Sequence, residues 1–177
     1  MLDRLPDFLD PILYAEQRRE TAGQMAVAGF ARLSEMLKDN SGKIAVDFSF
    51  EKKGRVATIQ GSIKGELVLV CQNCLQELIV NIDIPVNLGV VSTLEQADRL
   101  AAEFDPLWMD EETISLQEIV EDELLLALPD FPRHSHECVK HEQAELASIK
   151  PDDENNQQKS NNPFSVLAQL KKNTGDL

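Results

Sequence analysis

At 177 residues the chain is long enough to bury an apolar core without disulfide staples. Seventeen Lys and Arg against 31 Asp and Glu leave a net charge of −14, which repels polyanions and argues against phosphate-driven nucleic-acid binding. The opening residues Met1–Phe8 have neither a basic stretch nor a following apolar run, and the longest apolar runs are too short to span a bilayer, so a soluble cytoplasmic protein with no membrane partner is expected.

Asp10-Pro11 pairs a helix-capping carboxylate with proline at the first helical position and predicts a helix through about Arg19. Glu20–Val27 favours a short strand. Phe30, Leu33, Met36 and Leu37 recur at helical spacing and predict a second helix over about Ala28–Lys38, stopped by Asp39-Asn-Ser-Gly42. The period then switches. Ile44, Val46, Phe48 and Phe50 alternate with small or polar residues, Lys53-Gly54 reads as a hairpin turn, and Val56–Gly61 alternate on the return. Lys64-Gly65 is expected to turn again into the run Leu67–Val70.

Next comes Cys71-Gln-Asn-Cys74, and beyond it Leu78, Val80, Ile82 and Ile84 alternate down a strand that continues past Pro85 towards Val91. The CxxC is thereby expected at a hairpin tip, and Pro85 at a sheet edge or a break. Successive strands joined by short turns predict an antiparallel meander. Leu94–Phe131 holds twelve carboxylates against Arg99 alone, which is either a solvated acidic face or a surface for a basic partner. Residues 94–112 are weakly patterned, with one helical turn expected near Glu95–Ala102 and Trp108 expected to anchor the loop to the core. Ser115-Leu-Gln-Glu118 is a capping box, and the helix it opens aligns Leu116, Ile119, Val120, Leu124, Ala127 and Leu128 before Pro129 and Pro132 end it. Glu118, Glu121 and Asp122 are expected on its wet side, which argues against acid–base catalysis by them.

Lys150–Asn162 is polar throughout apart from its proline and reads as a linker; Asn162-Pro163 then caps a segment with Phe164, Leu167 and Leu170 on one side, an amphipathic helix for its own domain or a partner's groove. The fold class is therefore α+β, an antiparallel meander packed with several helices in residues 1–149, a linker over 150–162, and a helical segment over 163–177. No internal repeat, phosphate-binding glycine loop or nucleophile elbow is present.

The chain's three cysteines fall at Cys71, Cys74 and Cys138, the last within His134-Ser-His-Glu-Cys138. Three readings of the CxxC stand. A redox pair gains from a helix N-terminus that lowers the thiol pKa, and this CxxC lies between two β-patterned runs instead. Two buried structural thiols are the second reading. The third is half of a tetrahedral zinc site, completed by His134 and Cys138, with His136 or His141 as substitutes. Fifty-nine residues separate Cys74 from His134, so the pairing of the halves depends on the fold.

Cys71-Gln-Asn-Cys74-Leu75, Val120–Pro129 with Pro132-Arg-His134 and Cys138, and Asn162-Pro-Phe-Ser-Val-Leu-Ala-Gln-Leu-Lys171 together resemble the YceD family, the bacterial large ribosomal RNA subunit accumulation proteins. The resemblance covers nearly the whole chain. It implies a non-enzymatic, cytoplasmic role in the synthesis, processing or stability of 23S ribosomal RNA, with ribosome-assembly or RNA-processing proteins as partners and no small-molecule substrate. Members from other lineages carry C-x3-C where this chain has His134-x3-Cys138, together with later cysteines that it lacks. That likeness favours the zinc site and leaves a metal-free remnant as its alternative. Direct RNA contact rests only on Lys52, Lys53, Arg55 and Lys64 of the hairpins, and a thiol-dependent redox role for Cys71 and Cys74 is the competing function.

Overall fold

Alternation of Ile44, Val46, Phe48 and Phe50 with polar neighbours lays one row of side chains under a sheet, and all four are buried. The computed structural model describes residues 5–138. Its elements run β1 (Phe8–Leu9), α1 (Pro11–Gln17), β2 (Glu20–Ala26), a 3-10 turn (Val27–Gly29), α2 (Ala31–Ser34), β3 (Lys43–Lys53), β4 (Val56–Val70), β5 (Glu77–Val91), α3 (Leu94–Asp98), β6 (Asp105–Trp108), β7 (Ile114–Ser115) and α4 (Leu116–Ala127).

The main sheet has the order β2-β3-β4-β5-β6, and β1 pairs with β7 in a separate two-stranded ribbon. The expected meander is correct from β2 to β5, where every pairing is antiparallel. β6 departs from it by lying parallel to β5, from Leu88 opposite Asp105 to Val91 opposite Trp108. The intervening turn of α3, capped by the Thr93 side chain, carries the chain back so that β6 can add in that direction. Pro85 neither breaks β5 nor needs a donor on the open side, because β6 covers β5 only from Leu88 onward.

Other expectations need correction. Lys64-Gly65 is no turn: β4 runs unbroken through it, and Gly65 pairs with Ile44. A Cβ at Gly65 would sit 2.6 Å from Ile44 Cδ1 and 3.0 Å from the Lys43 carbonyl oxygen, so close approach of the neighbouring strand explains the glycine. The first helix stops at Gln17, where Arg18 takes a left-handed conformation. The second shrinks to Ala31–Ser34 because Phe30 is extended, and Met36 stays exposed. Trp108 is 46% exposed, and its neighbours Phe104 and Met109 are the buried anchors. The linker and C-terminal helix expected over 150–177 lie outside the described residues.

One face of the sheet carries the core. Ile59, Ile63 and Leu67 of β4 and Ile82, Val86 and Leu88 of β5 join the β3 row, and α4 closes it with Leu116, Ile119, Val120 and Leu124. Each such side chain contributes about 1.5–3 kcal/mol on burial. Ser115 accepts the Glu118 amide at 3.3 Å, as the capping box predicts.

Glu121 is the exception to the wet-side expectation, being 5% exposed. Its carboxylate accepts the Leu33 amide at 3.0 Å and Arg32 Nε at 3.2 Å, and the same guanidinium reaches Asp122 at 2.7 Å. A buried carboxylate thus ties α4 to the N-terminus of the short α2, satisfying an amide that the helix itself cannot. Burial pushes the Glu121 carboxyl up, but the Leu33 and Arg32 donors outweigh it and hold its pKa below the ordinary value. A carboxyl depressed in the folded state adds stability above its unfolded pKa of about 4.3 and loses it as pH falls through the folded value. Glu121→Ala should therefore lower the unfolding free energy by about 2 kcal/mol at pH 7. In urea titrations the gap from the native chain should narrow below about pH 4, while the exposed-loop control Glu112→Ala shifts little. An unchanged midpoint for Glu121→Ala at pH 7 would remove this tie between α4 and α2.

Candidate metal centre

β4 ends at Val70, and Cys71 begins a tight turn into β5. The Cys71 amide donates to the Gln76 carbonyl at 2.9 Å, and the Leu75 amide donates to the Cys71 carbonyl at 2.8 Å. Leu75 takes φ +60, a left-handed conformation that a non-glycine residue occupies at a cost of about 1 kcal/mol. This coil returns the chain within a few residues and leaves Cys71 and Cys74 on the same side of the turn. The expected hairpin tip is present.

The second half arrives from the far end of α4. Past Pro129 the chain crosses the hairpin tip, where the Gln72 amide donates to the Pro132 carbonyl at 2.8 Å. His134 and Cys138 come to rest beside the two sulfurs. Cys71 Sγ lies 3.8 Å from Cys138 Sγ, Cys74 Sγ lies 3.4 Å from His134 Nδ1, and the four donor atoms all fall within 4.8 Å of one another. With bonds of about 2.3 Å to sulfur and 2.0 Å to nitrogen, a tetrahedral zinc ion sets its S···S edges near 3.8 Å and its S···N edges near 3.5 Å. The two close contacts have those lengths. All three cysteines are free thiols, so no disulfide competes for the position.

Electrostatics favour the thiolate ligand form at Cys71 and hold protons on its neighbours. The Cys74 amide, with those of His134 and Asn73, draws the Cys71 thiol down to about 5 against the opposing effect of desolvation. The Gln76 amide pulls the Cys74 thiol down, but desolvation and the adjacent Cys71 and Cys138 sulfurs outweigh it and raise the pKa. The Cys138 sulfur leads the interactions that raise the His134 pKa, which desolvation opposes. A metal ion would replace the shared protons of this crowded set, and its binding would release them.

His134 is oriented for that role. Its Nε2 lies 3.0 Å from the Glu77 carbonyl oxygen, a pairing that calls for a proton on Nε2 and leaves the Nδ1 lone pair facing the sulfurs. Asn73 Nδ2 donates to Cys138 Sγ at 3.5 Å. These outer partners, Glu77 and Asn73, carry no sequence signal of their own, because one acts through its backbone and the other is an ordinary turn residue. Of the proposed substitutes, His136 stacks on His134 with ring centroids 4.8 Å apart and is outside the four-donor group, and His141 lies outside the described residues. Cys71 is buried and the other three donors are half-buried.

Against the turn, Leu69, Leu75, Leu125, Leu128 and Pro132 line an apolar groove of about 460 Å³. The segment that brings His134 and Cys138 to the turn also supplies one wall of this groove. The hairpin cations expected for RNA are largely engaged by acids: Lys52 with Glu16, Lys53 with Glu103 and Lys64 with Asp83. No helix among the described residues is long and apolar enough to cross a membrane.

Residues 59–171 match the family described as Large ribosomal RNA subunit accumulation protein YceD. A protein of that name from Haemophilus influenzae (strain ATCC 51907 / DSM 11121 / KW20 / Rd) is 32% identical over 171 residues, covering 95% of this chain and 97% of its own. No solved structure matches the chain. A match over most of the sequence, together with the full-length relative, makes this chain a member of the YceD family.

Proposed function

We propose that this protein is a cytoplasmic, non-enzymatic factor in ribosome biogenesis that supports the synthesis, processing or stability of large-subunit ribosomal RNA through contacts with assembly or RNA-processing proteins. Membership of a family named for accumulation of that RNA carries the reading. The net charge of −14 and the pairing of the hairpin lysines with acids favour protein partners over bare RNA. Exposed Met36 and Leu75 on the apolar groove, with Phe131 next to Pro132 of its wall, supply apolar contact area near the metal centre, and the acidic stretch supplies charge for a basic partner. Depleting the protein should lower large-subunit RNA relative to small-subunit RNA. An unchanged ratio across several growth conditions would count against the proposal.

The Cys71, Cys74, His134 and Cys138 group is assigned a structural zinc ion. Three sulfurs and one imidazole nitrogen within 4.8 Å of one another, two of the pairs at tetrahedral edge lengths, form a complete donor set, as in structural rather than catalytic zinc sites. Protein purified without a histidine tag should contain about one zinc per chain by elemental analysis. Chelation or Cys71→Ser should lower the melting temperature by many degrees, since structural zinc adds on the order of 10 kcal/mol to folding. Metal-free protein equally stable with and without chelator would sink the assignment.

The competing thiol-redox reading draws on the depressed Cys71 pKa. Burial of that sulfur and its position between two strands, away from the helix N-termini among the described residues, count against it. Disulfide turnover by the zinc-loaded protein would favour redox chemistry over the structural assignment.

A further inference from the structure

At the opposite end of β4 from the cysteines, the β3–β4 hairpin, α1 and α3 enclose a cavity of about 440 Å³. Its polar lining is one-sided. Lys52, Arg55 and Arg99 face it with Gln96 and Ser92, and none of its nine lining residues is acidic, in a chain with 31 carboxylates. Lys52 is held by Glu16 at 2.6 Å, but neither Arg55 nor Arg99 is in an ion pair among the described residues. Elsewhere in the sheet Lys53 and Lys64 each meet an acid, while Lys43, at the far end of β3, has no ion pair among the described residues. The Gln96 side-chain oxygen accepts the Ser92 amide at 2.8 Å, which fixes the side chain and leaves its NH2 group as a further donor. Ala57 and Val90, both buried, make up part of an apolar floor.

We infer that this cavity binds a phosphate-bearing ligand of about mononucleotide size. Two guanidiniums that meet no carboxylate among the described residues converge beside the Lys52 ammonium, which Glu16 holds, and guanidiniums pair with phosphate oxygens through two parallel hydrogen bonds. The volume lies within the range of small-molecule sites and exceeds what a bare phosphate needs, and the apolar floor suits the ligand's sugar or base. No aromatic residue among the described residues lines the cavity, so these residues supply no stacking platform of the kind by which a run of single-stranded bases is held. The ligand is therefore recognised through its phosphate. A free nucleotide and a single nucleotide of an RNA strand share this chemistry.

The inference is independent of the ribosomal reading and of the metal centre, and it is tested on the purified full-length chain. A nucleoside 5′-monophosphate, the same nucleoside without phosphate, and a single-stranded RNA decamer are titrated at low salt by calorimetry. The monophosphate should bind and the bare nucleoside should not. Combined Arg55→Ala and Arg99→Ala substitutions should weaken binding about tenfold or more, while Lys43→Ala at the far end of β3 leaves it unchanged. Both arginines are exposed, and circular dichroism verifies that the double variant folds. Binding of the monophosphate without the decamer supports a free-nucleotide site, and binding of a decamer displaced by the monophosphate supports a strand site. The inference is overturned if the monophosphate fails to bind at millimolar concentration, if the bare nucleoside binds as well, or if the arginine substitutions leave affinity unchanged.

Discussion

The register of β4 determines where both sites stand. This strand is paired on both sides from Thr58 to Gly65, and its inward row alternates large and small residues against its neighbours. Gly61 lies between Phe48 and Val86, and Gly65 between Ile44 and Ile82. A Cβ on Gly61 would fall 1.9 Å from the Asp47 carbonyl oxygen, so no other residue of β4 can take that place without moving β3. A slip by one residue would expose the buried row and drive Ser62 or Gln60 against Phe48. With the register locked, Cys71 emerges just past one end of β4 and Arg55 just before the other, roughly 50 Å apart along an extended strand. Sheet packing, not local loop chemistry, thereby separates the metal centre from the cationic cavity.

Charge is organised by the same sheet. Lys64 on β4 sits opposite Asp83 on β5, and Lys52 at the end of β3 meets Glu16 of α1. Exposed pairs of this kind add little to stability, on the order of 0–1 kcal/mol each. Their larger effect is to cancel positive potential over the sheet, which leaves the acid excess of Leu94–Phe131 as the dominant long-range field. Glu121 differs in kind, since it turns inward, and its loss would leave the Leu33 amide buried without a partner.

Legibility in the sequence followed the range of the physics involved. Strands β3 and β5 were readable because alternation of side chains across a half-buried sheet is written directly in residue order, and α4 was readable from its cap and apolar stripe. Lys64-Gly65 misled because glycine marks both turns and close strand approach, and only the partner strand distinguishes them. Glu121 misled because helical periodicity places it beside the apolar stripe, while the Arg32 and Leu33 donors that draw it inward lie 88 and more positions earlier in sequence. β6 lacks alternation, since Asp105-Pro-Leu-Trp108 is a short edge strand with a single partner, so pairing rather than pattern defines it. The four metal-centre residues were all named from residue type and spacing. Their convergence was not, because it depends on α4 ending directly above the tip of the β4–β5 hairpin.

That convergence bears on why a metal clasp would be useful at this point. Residues 128–138 contain Pro129 and Pro132, form no helix or strand, and leave Phe131 exposed. The Gln72 to Pro132 hydrogen bond and the weak Gln72 side-chain contact to Asp130 tie the segment to the turn. Such bonds contribute about 1 kcal/mol each, whereas fixing a residue's backbone costs about 1–2 kcal/mol. Even with the His134 Nε2 contact to the Glu77 carbonyl and the Asn73 contact to Cys138, these few hydrogen bonds cannot order eleven residues, and the apolar contacts of Leu128 and Pro132 close only part of that gap. A four-ligand ion joining Cys71 and Cys74 to His134 and Cys138 would supply free energy on the scale required. It would also hold Pro132 as a wall of the apolar groove, so that the shape of that surface would depend on the metal even though no ligand side chain needs to face a partner.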